Sequence, residues 1–209
     1  MLFLKALFGK KGFLLLIDKK NKALMVKTVY GASLKDFDKK YFSLETSPFA
    51  PAINARTALI IPKMQYLSRG ESISDEAMDY PIICAPLQLH DEVLGVIAVS
   101  GRRTGSTFQE EEMALLLNLA TQTAIAIENS ELNQNADKTY FETLAALAMA
   151  VEAKDPYSRG HLDRVGTYCV QIAQHLGLDP LEVGYLRDAA KIHDVGKIGV
   201  TDDVLSKPS

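Results

Sequence analysis

Along the chain, the spacing of apolar positions changes near residue 106, from strand-like runs and alternation to helical periodicity. "FLLLID" (Phe13 to Asp18) is a short apolar run, "KKNK" is a polar turn, and "ALMVKTVYG" (Ala23 to Gly31) alternates as a hairpin partner would. Residues 34–80 are mixed: "ETSPFAP" and "LSRGESISD" read as loops, and "TALIIP" as a strand. A second hairpin follows, with "PIICAPLQL" and "VLGVIAVSG" flanking a four-residue turn "HDEV" whose Val93 already fits the strand. Both arms are apolar at nearly every position, which predicts central strands covered on both faces.

After Ser106 the pattern is helical. "TFQEEEMALLLNLATQTAIAIEN" opens on Thr107 as N-cap with Glu110 three residues on, a capping box, and the acids that follow suit the positive end of a helix dipole. Met113, Leu116, Leu117, Ala120, Ala124 and Ile127 keep helical spacing and are its predicted buried stripe. "SELNQNADK" then turns polar without Pro or Gly, and "YFETLAALAMAVEAKD" is apolar and helical again. One long signalling helix, a dimeric coiled coil, and two helices with a joint all remain open. "DPYSRG" is a turn with Pro156. "HLDRVGTYCVQIAQHLG" is a helix ended by Gly177, with His175 in its last turn. "DPLEVGYLRDAAKIHDVG" starts with Asp179 as N-cap, Pro180 at the first helical position and Glu182 at the third, and Gly196 ends it.

The fold class expected is α+β, an antiparallel sheet with flanking helices followed by a long connecting helix and an all-α part. The length of 209 residues suits more than one domain and fewer than two large ones. A hydrophobic share of 47%, a charged share of 23% and a net charge of -3 describe an ordinary globular protein, with no general affinity for nucleic acid. Cys84 and Cys169 both sit in apolar runs, as small core residues of a reducing compartment do. The opening "MLFLKALFGKKGFLLLID" is interrupted by Lys5, Lys10, Lys11 and Asp18, and no small-residue cleavage pattern follows it. It reads as a helix end feeding the first strand, and the expected location is cytoplasmic.

Chemistry concentrates near the C-terminus. Leu186, Ala189, Ala190 and His193 lie at i, i+3, i+4 and i+7, so His193 is expected on a buried helical face. His161 shares a stripe with Val165, Tyr168 and Ile172 on the preceding helix. Antiparallel packing of these two helices would aim both imidazoles into one interior beside the Asp194 carboxylate. A buried carboxylate needs a partner, and a divalent cation is one. Imidazole with carboxylate suits Mn, Fe, Zn or Ni better than Ca or Mg. On spacing alone, a metal site and two satisfied core histidines remain open alternatives.

The segments "ETLAALAMAVEAKDPYSRGHLDRV", "AAKIHDVGKIGV" and "DDVLSKP" resemble the first part of an HD-GYP domain, a branch of the HD superfamily of metal-dependent phosphohydrolases. The resemblance spans residues 139–209. It implies hydrolysis of the bacterial second messenger cyclic di-GMP, to pGpG or GMP, at a two- or three-metal centre in a helical bundle. It makes His193 and Asp194 metal ligands, Asp194 a bridge between ions, and His161 a ligand from the neighbouring helix. Lys197 would meet phosphate or the attacking water. Trimetal members carry a glutamate where Tyr157 stands here, so two ions (Fe, Mn, Ni or similar) are implied. The family's later histidines and its Gly-Tyr-Pro motif would fall beyond Ser209. The chain is therefore expected to be an incomplete catalytic fragment, inactive alone. An HD hydrolase for another nucleotide and a catalytically silent signalling scaffold are the alternatives.

The first half is similar to GAF domains in "GFLLLIDKKNKALMVKTVYG", "YPIICAPLQLHDEVLGVIAVSGR" and "FQEEEMALLLNLATQTAIAIEN". That family's first helix is short or missing here. The organisation implied is a GAF sensor over residues 1–130, a helical linker over 131–138, and the HD-GYP part over 139–209. A small ligand of unspecified chemistry would bind the sensor, and the connecting helix would join two copies in a homodimer. Cys84 lies inside a strand, a poor place for a bilin-linking thiol.

Overall fold

The computed structural model of the chain describes residues 9–31, 41–62, 79–102, 107–154 and 160–205. The helix end expected before Gly9, the loop "LSRGESISD", Pro156, Tyr157 and the final "SKP" lie outside them. The chain divides into two compact units, Met1–Ser130 and Glu131–Ser209. None of the described helices is long and apolar enough to cross a membrane.

The first unit is built on a six-stranded antiparallel sheet. Its strands are β1 (Gly9–Asp18), β2 (Ala23–Tyr30), β3 (Tyr41–Ser43), β4 (Leu59–Ile61), β5 (Ile82–Leu89) and β6 (Glu92–Arg102), in the spatial order β3-β2-β1-β6-β5-β4. The β1–β2 turn is closed by the Asp18 carboxylate, which accepts the Lys20 N–H at 3.0 Å and the Asn21 N–H at 3.1 Å. The second hairpin is tighter than expected: Leu89 pairs with Glu92, so only His90 and Asp91 form the turn, with His90 at φ 52°.

Side-chain alternation sends the apolar runs to both faces. Phe13, Leu15, Leu24, Ile82, Cys84, Val96 and Ala98 join one buried cluster, whereas Ile83, Ala85, Leu87, Ile97 and Val99 join the other. Both-face coverage of β5 and β6 is thus as the continuous apolar runs predict. Gly95 on β6 lies where a Cβ would come 2.1 Å from the Leu15 carbonyl oxygen, so this contact between neighbouring strands needs glycine.

Helices cover the two faces. The first, α1 (Ala50–Ala55), begins inside "ETSPFAP", which periodicity assigns to a loop. Six residues are too few for a helical period to show, and the helix is held by burial of Phe49 and Ala52 against the sheet. The second, α2 (Glu110–Lys154), is one helix of 45 residues. Its Leu116, Ala120 and Ala124 are buried on the other face, with Met113, Leu117 and Ile127 packed beside them, the stripe predicted. Its start differs from the expected Thr107–Glu110 box: Glu112 reaches back to the Gln109 N–H at 2.8 Å. Residues 129–140 are exposed all round, yet helical, because nothing in "SELNQNADK" breaks the backbone ladder.

The second unit contains the later part of α2, then α3 (His161–His175), α4 (Pro180–Ile192), a 3-10 turn (Val195–Gly199) and α5 (Asp202–Leu205). Gly177 ends α3 with φ 74°, and the Leu178 N–H returns to the Ala173 carbonyl at 3.1 Å in a Schellman motif. Asp179 and Glu182 form the predicted capping box at the start of α4. The helix stops at Ile192, earlier than Gly196 suggests, and Gly196 falls within the 3-10 turn.

Candidate metal centre

The buried faces of α3 and α4 are not those predicted. On α3 the buried residues are Leu162, Gly166 and Ala173, whereas Tyr168 and Ile172 are 60% exposed. On α4 only Ala190 is buried, with Leu186 and Ala189 exposed. Small residues explain the shift. A Cβ added at Gly166 would lie 3.9 Å from the Ala190 Cβ, so the helices meet where side chains are absent or short, and the larger apolar residues stay outside. The histidines consequently sit at the rim of the helix pair, each with its side chain 38% exposed, and not in a closed interior.

They converge nonetheless. His161 opens α3, and His193 is the residue at which α4 ends. Their ring centroids are 5.4 Å apart at 53°. Asp194 lies between them: His193 Nε2 is 3.6 Å from Oδ1 and His161 Nε2 is 3.9 Å from Oδ2. One ligand atom from each of the three lies within 4.8 Å of the others. Lys197, one turn on, donates from Nζ to Asp194 Oδ2 at 2.6 Å. All four residues named from the sequence are therefore brought together.

The donor set fits a divalent ion. His193 Nδ1 is 2.9 Å from the Ala190 carbonyl oxygen, which can only accept, so Nδ1 carries the proton and Nε2 presents its lone pair towards Asp194. Both imidazole–carboxylate distances exceed hydrogen-bond length, leaving these atoms unsatisfied by one another. The hydrogen bond from Lys197 holds the Asp194 carboxyl below its ordinary range; it outweighs burial, which pushes the other way, and the Lys197 charge adds to the lowering. Asp194 is thus an anion at neutral pH and available to a cation.

One neighbour was not singled out from the sequence. Glu152, on α2, accepts the backbone N–H groups of both His161 and Leu162 through Oε1, and lines a small cavity with Ala148, Val151, Asp194 and Lys197. Nine positions separate it from His161, so no helical period links them. The remaining histidines, His90 and His175, lie in the β5–β6 turn and the last turn of α3.

Comparison with known proteins agrees with both halves of the sequence reading. A family model described as a GAF domain matches residues 5–128. The fold is similar to the GAF domain of a phosphoenolpyruvate-protein phosphotransferase from Coxiella burnetii, with a TM-score of 0.55 and 16% identity over 64% of this chain and 80% of that one. It is also similar to the second GAF domain of DevS from Mycobacterium smegmatis, with a TM-score of 0.51 and 15% identity over 64% of this chain and 90% of that one. Among curated proteins, the chain is 41% identical over 73 residues to 3'3'-cGAMP-specific phosphodiesterase 3 of Vibrio cholerae, covering 34% of this chain and 16% of that protein. It is 40% identical over 68 residues to the cyclic di-GMP phosphodiesterase of Thermotoga maritima, covering 32% of this chain and 18% of that protein. The match spans less than a fifth of the length of these relatives. With a six-stranded antiparallel sheet closed by a helix over the residues that the family model matches, the chain belongs to the GAF domain family, and its curated relatives are cyclic-dinucleotide phosphodiesterases.

Proposed function

We propose that this chain is the sensor and part of the catalytic unit of a bacterial signalling phosphodiesterase that hydrolyses cyclic di-GMP. The observation that carries the reading is the convergence of His161, His193 and Asp194 within 4.8 Å, with Lys197 on the same carboxylate. The names of the relatives supply the substrate class: a cyclic dinucleotide.

In this reading His161, His193 and Asp194 hold a divalent ion, Fe, Mn or Ni, and a second ion needs ligands beyond these three. A bound ion supplies Lewis acidity towards a phosphoryl oxygen and lowers the pKa of water. The protein's own part is positional. The Ala190 carbonyl fixes the His193 tautomer, and Asp194 keeps its charge through Lys197. The Lys197 ammonium, close to the Asp194 carboxylate, would offset negative charge developing on a phosphodiester as its bond breaks.

Residues 1–130 act as the sensor, 131–138 as linker and 139–209 as the catalytic part. Regulation runs through α2, because this single helix contributes residues to both compact units. A small ligand of the sensor would find buried hydroxyls at Ser47 and Ser100, which have no hydrogen-bond partner among the described residues. Ile125 and Leu132, then Tyr140 and Leu147, are exposed on α2 at heptad intervals, which supports pairing with the same helix of a second copy. A cytoplasmic location suits the two free cysteines.

The test is turnover of cyclic di-GMP, with metal content, by the whole protein that carries this chain, alongside its His193→Ala variant. Loss of bound metal and of turnover in the variant is expected. Turnover unchanged in His193→Ala would refute the assignment. Two relatives are named as 3'3'-cGAMP-specific, which favours that dinucleotide as a second substrate, and faster turnover of it would replace cyclic di-GMP in the reading.

A further inference from the structure

Two of the three side chains proposed as ligands are held by contacts of their own. His193 is turned by the Ala190 carbonyl, and Asp194 is tied by Lys197. His161 has no such side-chain hydrogen bond among the described residues, and it stands at the first position of α3, where a helix leaves backbone N–H groups without intrahelical partners. A terminus of this kind frays unless something caps it. The N-cap residue cannot do so: it is Gly160, with no side chain and φ 68°.

The cap comes from another helix. Glu152 Oε1, nine positions earlier on α2, accepts the N–H of His161 and, at 3.3 Å, the N–H of Leu162. A carboxylate in this place satisfies two orphan donors with one charged acceptor and meets the positive end of the α3 dipole. The two groups it fastens are the backbone of His161 itself and that of Leu162, which is buried. The carboxylate also shares a cavity lining with Asp194 and Lys197, so the helix start and the opposing carboxylate are parts of one pocket.

We propose that Glu152 is the positioning residue of the metal centre. It holds the first turn of α3 in place, so that His161 Nε2 stays facing Asp194, and it does this as a backbone acceptor and not as a ligand. The inference rests on the reading of His161 as a ligand, and goes beyond it by assigning the group that sets that ligand's position.

The experiment compares wild type, Glu152→Gln, Glu152→Ala and His193→Ala in the full chain, with Mn2+ as the probe and amide hydrogen exchange of the metal-free protein as a second readout. Gln keeps an oxygen that can accept from both N–H groups, whereas Ala leaves none. Glu152→Ala should weaken Mn2+ binding by about tenfold or more, the usual cost of losing a supporting contact behind a ligand. Glu152→Gln should stay within about threefold of wild type. In the metal-free protein, the His161 and Leu162 amides should exchange about five to ten times faster in Glu152→Ala than in wild type or Glu152→Gln.

Wild-type Mn2+ affinity in Glu152→Ala would overturn the proposal, and so would unchanged amide exchange. Equal loss of affinity in Gln and Ala would overturn it differently, by making the charge itself a ligand. If Mn2+ binding proved indifferent to His193→Ala, the metal-centre reading would fall and the positioning role with it. The exchange data would then still show, separately, whether Glu152 caps α3.

Discussion

Cys84 lies in the middle of β5 with no exposed surface, and burial pushes its thiol from an ordinary 9.0 up to about 12. Only the thiolate attacks electrophiles, so the shift has a kinetic consequence. At pH 8 a thiol at 9.0 is about one-tenth ionised, and one near 12 only about 0.01%, a ratio of roughly 1,000. The perturbation is Cys169→Ser, which leaves Cys84 as the sole thiol, followed by labelling with a chromogenic disulfide at pH 8. The native protein should react about three orders of magnitude more slowly than the denatured protein, which should release one equivalent at once. The same shift acts on stability. A thiol whose folded value is raised keeps its full stabilisation below about 9 and loses it as pH climbs through 9 to 12, since the unfolded chain releases the proton first. The slope is about 1.4 kcal/mol per pH unit, about 4 kcal/mol over the window, and Cys84→Ala should remove it. Native labelling within tenfold of the denatured rate would refute the reasoning, and with it the inertness that argues against covalent attachment of a ligand at Cys84.

Two further outcomes follow from the fold. Gly95→Ala places a Cβ 2.1 Å from the Leu15 carbonyl oxygen and 2.9 Å from the Leu16 Cα, both backbone atoms, so β1 and β6 must part. A loss of about 1–3 kcal/mol in urea unfolding is expected, and a change within about 0.5 kcal/mol would show that the strands yield freely. Leu132→Glu puts a charge into the exposed apolar stripe of α2. If the pairing proposed for α2 forms, wild type sediments as a dimer and this variant should shift towards monomer without a change in unfolding midpoint; a wild-type monomer, or an unaltered dimer in the variant, would refute pairing through this stripe.

Much of the fold was legible because its signals are local. Continuous apolar runs marked β5 and β6, six residues of helical period marked the buried stripe of α2, and Asp179, Pro180 and Glu182 marked the start of α4. The candidate ligands His161, His193 and Asp194, with Lys197, were named from the sequence and are close together in the structure. The illegible parts depend on distant partners. α1 is too short to show a period, and its burial against the sheet depends on the strands folded beside it. The helix start at Gln109 and Glu112, and the two-residue turn at His90 and Asp91, were each misplaced by one or two residues.

By itself, the sequence named His161, His193, Asp194 and Lys197 as candidate site residues and marked most of the strands and helices, because side-chain identity and periodicity need no partner to be read. Tertiary structure alone decided how those residues face one another. Gly166 and Ala190 let α3 and α4 approach through small residues, which turned both helices away from the predicted stripes and left the imidazoles at the rim. It also joined Glu152 to His161 across nine positions. A hydrogen bond from one helix to the end of another is a property of packing, and no spacing along a single helix encodes it.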